Sequence, residues 1–190
     1  MKHLRFVNTL LLVAIILVNG YILLIPLFPA LTYWWDSRNN AVAVLEQKIV
    51  KPTTTKTVNN QPDGLVIPSM LLDEPIYTGS SAKTLRKGLW VRPTGSTPDQ
   101  GGNTVIAGHR FTYADPRGSL YHLDKVRVGD PIGLYWQGKK YAYTVREVKV
   151  VKATDISIEA PTKDNRLTIY TCTPLWLPKD RLAIIAEEAS

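Results

Sequence analysis

The sequence predicts a mainly β domain, a sandwich or barrel, carried behind one N-terminal membrane-crossing segment. Three observations predict it. Residues 6–35 contain no charged side chain. A polar Thr/Asn/Pro-rich stretch follows. From Leu65 onward, short apolar runs alternate with Gly, Pro and Asn turns. Many short strands separated by frequent turns pack as two facing sheets or as one closed sheet.

The first element is the hydrophobic segment. Phe6 to Ile25 is rich in Leu, Ile and Val; as a helix it spans about 30 Å, the thickness of a bilayer core. Pro26 and Pro29 disfavour a regular helix beyond it. Tyr33, Trp34 and Trp35 suit the far membrane interface. Lys2 and Arg5 precede the run, and Asp36 offsets Arg38 after it, so the positive-inside bias puts the N-terminus in the cytosol. A cleaved signal peptide is the competing reading, but the run is long for one and no clear A-x-A site follows.

Ala41 to Val50 can form a short helix, and Lys51 to Gly64 reads as a flexible spacer. Strand-like runs then appear at 65–67, 75–77, 104–107, 132–136, 141–151, 167–172 and 182–186. Gln137-Gly138 is a two-residue hairpin turn. Helical signals are confined to short pieces near Ser81–Lys87 and Gly118–Asp124. The expected division is 1–35, cytosolic stub and transmembrane anchor; 36–64, extracellular juxtamembrane segment and linker; and 65–190, the folded domain, of ordinary single-domain size.

Composition excludes several functions. The net charge is +7 over 190 residues. Residues 1–61 carry +4 of it and the β region only +3, with no basic stripe, so nucleic-acid binding is not expected. One cysteine permits neither an intrachain disulfide nor a cysteine-rich zinc site. Histidines at 3, 109 and 122 lack metal-cluster spacing. Glu147, Asp155 and Glu159 are scattered and read as solvated charges. There is no P-loop, and no cofactor or metal is implied.

The chemistry rests on three residues. Cys172 closes the run LTIYTC (167–172), and RLAII (181–185) resumes after a connection of about eight residues. A hairpin sets its strand ends about 5 Å apart, so Arg181 is expected near Cys172. A guanidinium stays protonated and can stabilise a thiolate or a developing oxyanion. The alternative is a small core hydrophobe beside a solvated strand end. His109 ends NTVIAGH (103–109) after Gly108, which allows close backbone approach. At a strand end it suits proton transfer, although spacing alone favours a hydrogen-bonded strand-end histidine. His122, in YHLDK, reads as a surface residue.

These pieces resemble the sortases, membrane-anchored cysteine transpeptidases. NTVIAGHR (103–110) is similar to the family strand that ends in the catalytic histidine. LTIYTC (167–172) is similar to its T-L-x-T-C signature, and Arg181 falls where the family has its arginine. The resemblance runs from about 65 to 188. It implies a closed eight-stranded β-barrel with short helices, preceded by one transmembrane helix. It also implies catalysis by Cys172, His109 and Arg181, with Thr171 lining the substrate pocket. The implied reaction cleaves an LPXTG-like C-terminal sorting signal between Thr and Gly through a thioester. The protein is then transferred to an amine in a cell-wall precursor or a pilin lysine. The implied partners are secreted proteins bearing such signals, met on the outer face of the cell membrane. TCTP (171–174) is similar to pilus-polymerising members, yet residues 36–64 carry no Asp-Pro-aromatic lid, so the acceptor stays open. Two alternatives stand beside this reading: a membrane-anchored cysteine peptidase that mainly hydrolyses its acyl-enzyme, and a non-catalytic envelope binding module.

Overall fold

The computed structural model describes residues 2–39, 41–50, 62–112 and 120–189. Helix α1 (Lys2–Leu24) passes through a 3₁₀ turn at Ile25–Leu27 into α2 (Phe28–Ser37). The prolines explain the joint: Pro26 and Pro29 each sit in the first positions of a helical segment, where the missing N–H has no helical partner to lose. The chain thus changes helix type at the prolines rather than leaving the helical state. Lys2–Ser37 is long and apolar enough to cross a membrane. Helix α3 (Ala41–Val50) follows. Of the expected spacer at 51–64, residues 51–61 lie outside the described residues, and its last residue, Gly64, already belongs to a strand.

Among the described residues, eight strands form the domain: β1 (Gly64–Ile67), β2 (Leu72–Thr78), β3 (Leu89–Val91), β4 (Asn103–Ala107), β5 (Pro131–Trp136), β6 (Lys139–Lys152), β7 (Arg166–Thr173) and β8 (Asp180–Glu188). They close into a barrel in the order β1-β2-β3-β4-β7-β8-β6-β5. The pairs β2–β3 and β4–β7 are parallel and the others antiparallel. Closure leaves no open sheet edge for unwanted pairing.

Alternation explains the core. Leu167, Ile169 and Thr171 on β7 pair with Ala186, Ile184 and Leu182 on β8, a line of side chains facing the barrel interior. Leu65, Ile67, Leu89, Ile106, Ile132 and Leu134 meet them from other strands. Each fully buried Leu or Ile contributes about 2 kcal/mol. The Gln137-Gly138 turn has φ of 48° and 73°, which identifies it as type I′ between Trp136 and Lys139. The sequence missed β3: its three residues, between Gly88 and Pro93, are too few to show alternation.

The membrane-proximal helices dock on the barrel. Ile49 of α3 is buried against Gly133. Lys140 Nζ donates to the Ile49 carbonyl at 2.7 Å, and Lys48 pairs with Asp73 at 2.7 Å. On α2, Tyr33 donates its hydroxyl to the Ser69 carbonyl at 2.9 Å and stacks on His122 with centroids 4.4 Å apart. The Tyr33 ring is thus packed in part against the domain. The surface reading of His122 is corrected. It is partly buried between Tyr33 and Tyr121, with Nε2 at 3.0 Å from the Pro29 carbonyl. Its polar flanks concealed an aromatic environment that only α2 supplies. The piece expected near Gly118–Asp124 is a 3₁₀ turn at Leu123–Lys125; residues 118 and 119 lie outside the described residues.

Candidate active site

Three adjacent strands build the site. Cys172 on β7 is the direct register partner of Arg181 on β8. The ladder extends one pair further, to Thr173 and Asp180, so the connection is shorter than the sequence suggested. On the other side, β4 runs parallel to β7 with Ala107 opposite Tyr170. The Gly108 N–H donates to the Tyr170 carbonyl at 3.3 Å, which carries the pairing past the strand end. Continuing that register by one more residue sets His109 level with Cys172. His109, Cys172 and Arg181 therefore form a row across β4, β7 and β8, where neighbouring strands lie about 4.8 Å apart. Since Thr171 and Leu182 face inward, Cys172 and Arg181 face outward.

That row borders one open cavity of about 330 Å³, whose lining includes all three residues. Cys172 is partly exposed and His109 exposed. The cavity floor is the outer face of the barrel, with Ala107 and Tyr170. Ala82 and Leu85 form one wall, Trp90 and Arg92 another, and the β6–β7 connection supplies Asp155, Ile156, Ile158 and Glu159.

The β6–β7 connection is fastened to the barrel. Glu159 accepts hydrogen bonds from Arg92 Nε and Nη2, both at 3.1 Å, from the Thr94 hydroxyl at 2.5 Å and from the Tyr170 hydroxyl at 2.6 Å. The Glu159 side chain is only 13% exposed. Burial alone would raise its pKa, but the bonds from Arg92, Thr94 and Tyr170 outweigh it and hold the carboxyl below its ordinary range. Burial and the Glu159 carboxylate push the Tyr170 hydroxyl well above its usual value, so it remains a donor. Arg92 also lies over the Trp90 ring at 4.4 Å. Nearby, buried Asn103 donates to the carbonyls of Ile158 and Ala160, both at 3.0 Å, and accepts from Thr168 at 2.7 Å. Glu159 is thus not the solvated charge its sequence context suggested. Its partners lie up to 67 residues away, so no local pattern could announce them.

The His109 end of the row is held by its neighbours. A Cβ on Gly108 would come within 2.9 Å of the Leu120 and Leu89 side chains, so only glycine fits this close packing. Thr171, almost fully buried, donates its hydroxyl to the Gly108 carbonyl at 2.8 Å. Its side chain therefore ties β7 to the segment that carries His109. Arg110 was not singled out by the sequence. Its guanidinium donates to the Thr173 hydroxyl at 2.9 Å and pairs with Asp124 at 3.4 Å, joining the segment after His109 to the end of β7. Among the described residues, no group of three or more His, Cys, Asp or Glu side chains is arranged to hold a metal ion.

Comparison with known proteins agrees with this architecture. The Sortase domain family matches residues 65–189. Sortase A of Listeria monocytogenes is 30% identical over 108 residues, 57% of this chain and 47% of that protein. Sortase D of Bacillus subtilis is 29% identical over 121 residues, 63% of this chain and 58% of that protein. The matched stretch thus spans about half the length of these relatives. The crystal structure of the Listeria sortase A superposes with a TM-score of 0.60 at 26% identity, covering 71% of this chain and 89% of that one. Clostridium perfringens sortase C, solved with a C-terminal cell wall sorting motif, gives a TM-score of 0.60 at 25% identity, covering 80% and 85%. A closed barrel of this strand order, a cysteine, histidine and arginine abreast on its outer face, and a family match across the whole domain lead to one conclusion: this chain belongs to the sortase family.

Proposed function

We propose that residues 65–190 are a cysteine transpeptidase domain acting on C-terminal sorting signals similar to LPXTG. Cys172, as thiolate, attacks the carbonyl carbon of the Thr–Gly bond and forms a tetrahedral intermediate. Arg181, one strand away, donates to the oxyanion and to the substrate backbone. His109, on the opposite flank, gives its proton to the departing glycine amine, leaving a thioester on Cys172. An incoming amine then loses a proton to His109, attacks the thioester and releases the thiolate. Thr171 borders the pocket and acts through Gly108 to hold His109 level with the sulfur. The observation that carries this reading is the row of three residues along one open groove.

The groove suits an extended peptide. Trp90, Ile156 and Ile158 give it apolar walls, while the Glu159 cluster keeps the β6–β7 wall fixed before substrate arrives, which lowers the ordering cost of binding. The acceptor amine is a cell-wall precursor or a pilin lysine. The apolar helix anchors the chain in the cell membrane with Lys2 and Arg5 on the cytosolic side. The domain therefore meets secreted proteins outside.

A peptide containing an LPXTG-like signal, incubated with the full chain with and without added oligoglycine or lysine amine, tests the reading. Intact-mass analysis is expected to find a Cys172 acyl adduct and amine-joined product. Product that stays hydrolytic at saturating amine would favour the peptidase alternative. Absence of any adduct across a library of sorting signals would favour a binding module.

A further inference from the structure

Outside the groove, the most unusual surface is the tip of the β7–β8 connection. Trp176 is 60% exposed and Leu177 69% exposed. Two large apolar side chains at a loop tip in water are a liability unless something covers them. Their position indicates the cover. Tyr121 donates its hydroxyl to the Pro26 carbonyl at 2.8 Å, at the residue where the apolar run ends. Phe111 packs edge-on against Tyr121 with centroids 6.3 Å apart, and Trp176 packs on Phe111 at 6.2 Å. A continuous file of aromatic rings therefore leads from the end of the span to the loop tip. The preceding residue, Leu175, shares a cavity with Ala30 and Trp34 of α2. Trp34 and Trp35 on α2 are themselves exposed. Cations outnumber acids in the same region: Arg38 lies over the Trp34 ring at 3.8 Å, Lys125 and Arg110 border the cavity together with Asp124, which pairs with Arg110, and Lys179 is exposed beside the tip. Aromatic rings, aliphatic tips and surrounding cations are the composition of a protein surface seated at lipid headgroups.

We infer that the Trp176–Leu177 tip is a second membrane contact, seated in the headgroup region of the bilayer beside the end of the span. The inference rests on the N-terminal anchor. The two contacts together restrain rotation of the barrel about its tether. Because the tip joins the strands that carry Cys172 and Arg181, the bilayer fixes the height and aspect of the groove. The occupant is lipid with an anionic component, chosen by continuity with the span and by the cations at the edge.

The experiment uses the full chain in vesicles of phosphatidylcholine and phosphatidylglycerol, with and without phosphatidylcholine brominated along its acyl chains. Trp34→Phe and Trp35→Phe remove the other exposed indoles; Trp90 and Trp136 are buried in the barrel. The difference in emission between this background and the same chain with Trp176→Phe isolates Trp176. The bromolipid is expected to remove roughly half of that difference or more, as for an indole at the interface. Flotation of the vesicles separates the two failures. A chain that does not float overturns the anchor and this inference together; a chain that floats with Trp176 unquenched overturns the second contact alone. Cleavage of a soluble signal peptide by Leu177→Asp in detergent is expected to stay unchanged; a tenfold loss there would assign the tip to substrate instead and overturn the lipid contact.

Discussion

The row on β4, β7 and β8 and the dock of α2 against the barrel are held in different ways. The row is set by backbone ladders: Cys172 meets Arg181 because antiparallel pairing counts residues outward from a turn, and His109 follows from the parallel register of β4 with β7. The dock is set by single side chains reaching carbonyls 36 to 95 residues away: Tyr33 to Ser69, His122 to Pro29 and Tyr121 to Pro26. A ladder shares its load among many hydrogen bonds inside a closed sheet. A dock of a few side-chain bonds can open without unfolding the barrel. The row therefore belongs to the part of the molecule held by ladders, and the dock to a separable part.

The largest effect should come from removing the sulfur. Cys172→Ala is expected to abolish the acyl adduct in intact-mass analysis and to lower turnover by more than about 10³-fold. Its thermal unfolding should stay close to that of the parent, because the side chain lies on the outer face. Wild-type turnover by this variant would separate the row from catalysis. Arg181→Ala follows. On the proposed mechanism this removes one oxyanion donor, which is expected to lower kcat by about 10²–10³-fold. Arg181→Lys should restore little, since an ammonium lacks the planar fork.

The third prediction tests whether side-chain bonds can matter as much as ladders when they are buried. Glu159→Gln should destabilise the domain by about 2 kcal/mol, because the Arg92 guanidinium loses its carboxylate partner. It should raise KM more than it lowers kcat, since it loosens a groove wall. The pH dependence has a definite sign. The folded carboxyl titrates below its ordinary value, so its stabilisation is present at neutral pH and is lost as pH falls through the folded pKa. Denaturant unfolding of parent and variant should converge only as pH falls through the folded carboxyl's pKa, below the ordinary carboxylate range. A gap that stays constant with pH would remove the ion pair from the account.

The smallest effect concerns the dock. Burial pushes the His122 imidazole below its ordinary pKa, against the opposing pull of the Pro29 carbonyl and Asp124; Lys125 and Arg110 add to the depression. The neutral ring is therefore favoured in the docked state. Docking is fully supported above about pH 6.5 and weakens as pH falls below it. Hydrogen exchange of residues 28–37 in the full chain should quicken between pH 7.5 and 5.5, after correction for intrinsic rates, while β7 and β8 stay protected. Equal change in both regions would mean that dock and barrel open as one unit.

Legibility in the sequence follows the same division. Seven of the strand segments were readable from their own residues, because alternation and turns are local signals; β3 was too short to carry one. The facing of Cys172 by Arg181 needed only a count across a hairpin. His109 could be marked as a strand-end residue, but its level with Cys172 required knowing that β4 lies beside β7, a pairing between strands more than fifty residues apart. Glu159 and His122 were misread for one shared reason. Each lies among polar neighbours in sequence and acquires its partners from distant elements, Arg92 and Tyr170 for the one, α2 for the other.

The sequence by itself determined the apolar helix, the β character of residues 65–190, the family motifs and the hairpin that pairs a thiol with a guanidinium. These depend on periodicity and turn chemistry, which act over a few residues. Only the tertiary structure decided that histidine joins them across a parallel ladder, that Glu159 becomes a clamped strut of the groove, and that α2 folds back onto the barrel. Those arrangements depend on closing the sheet and excluding water between segments far apart in the chain, and no local pattern records which segments will meet.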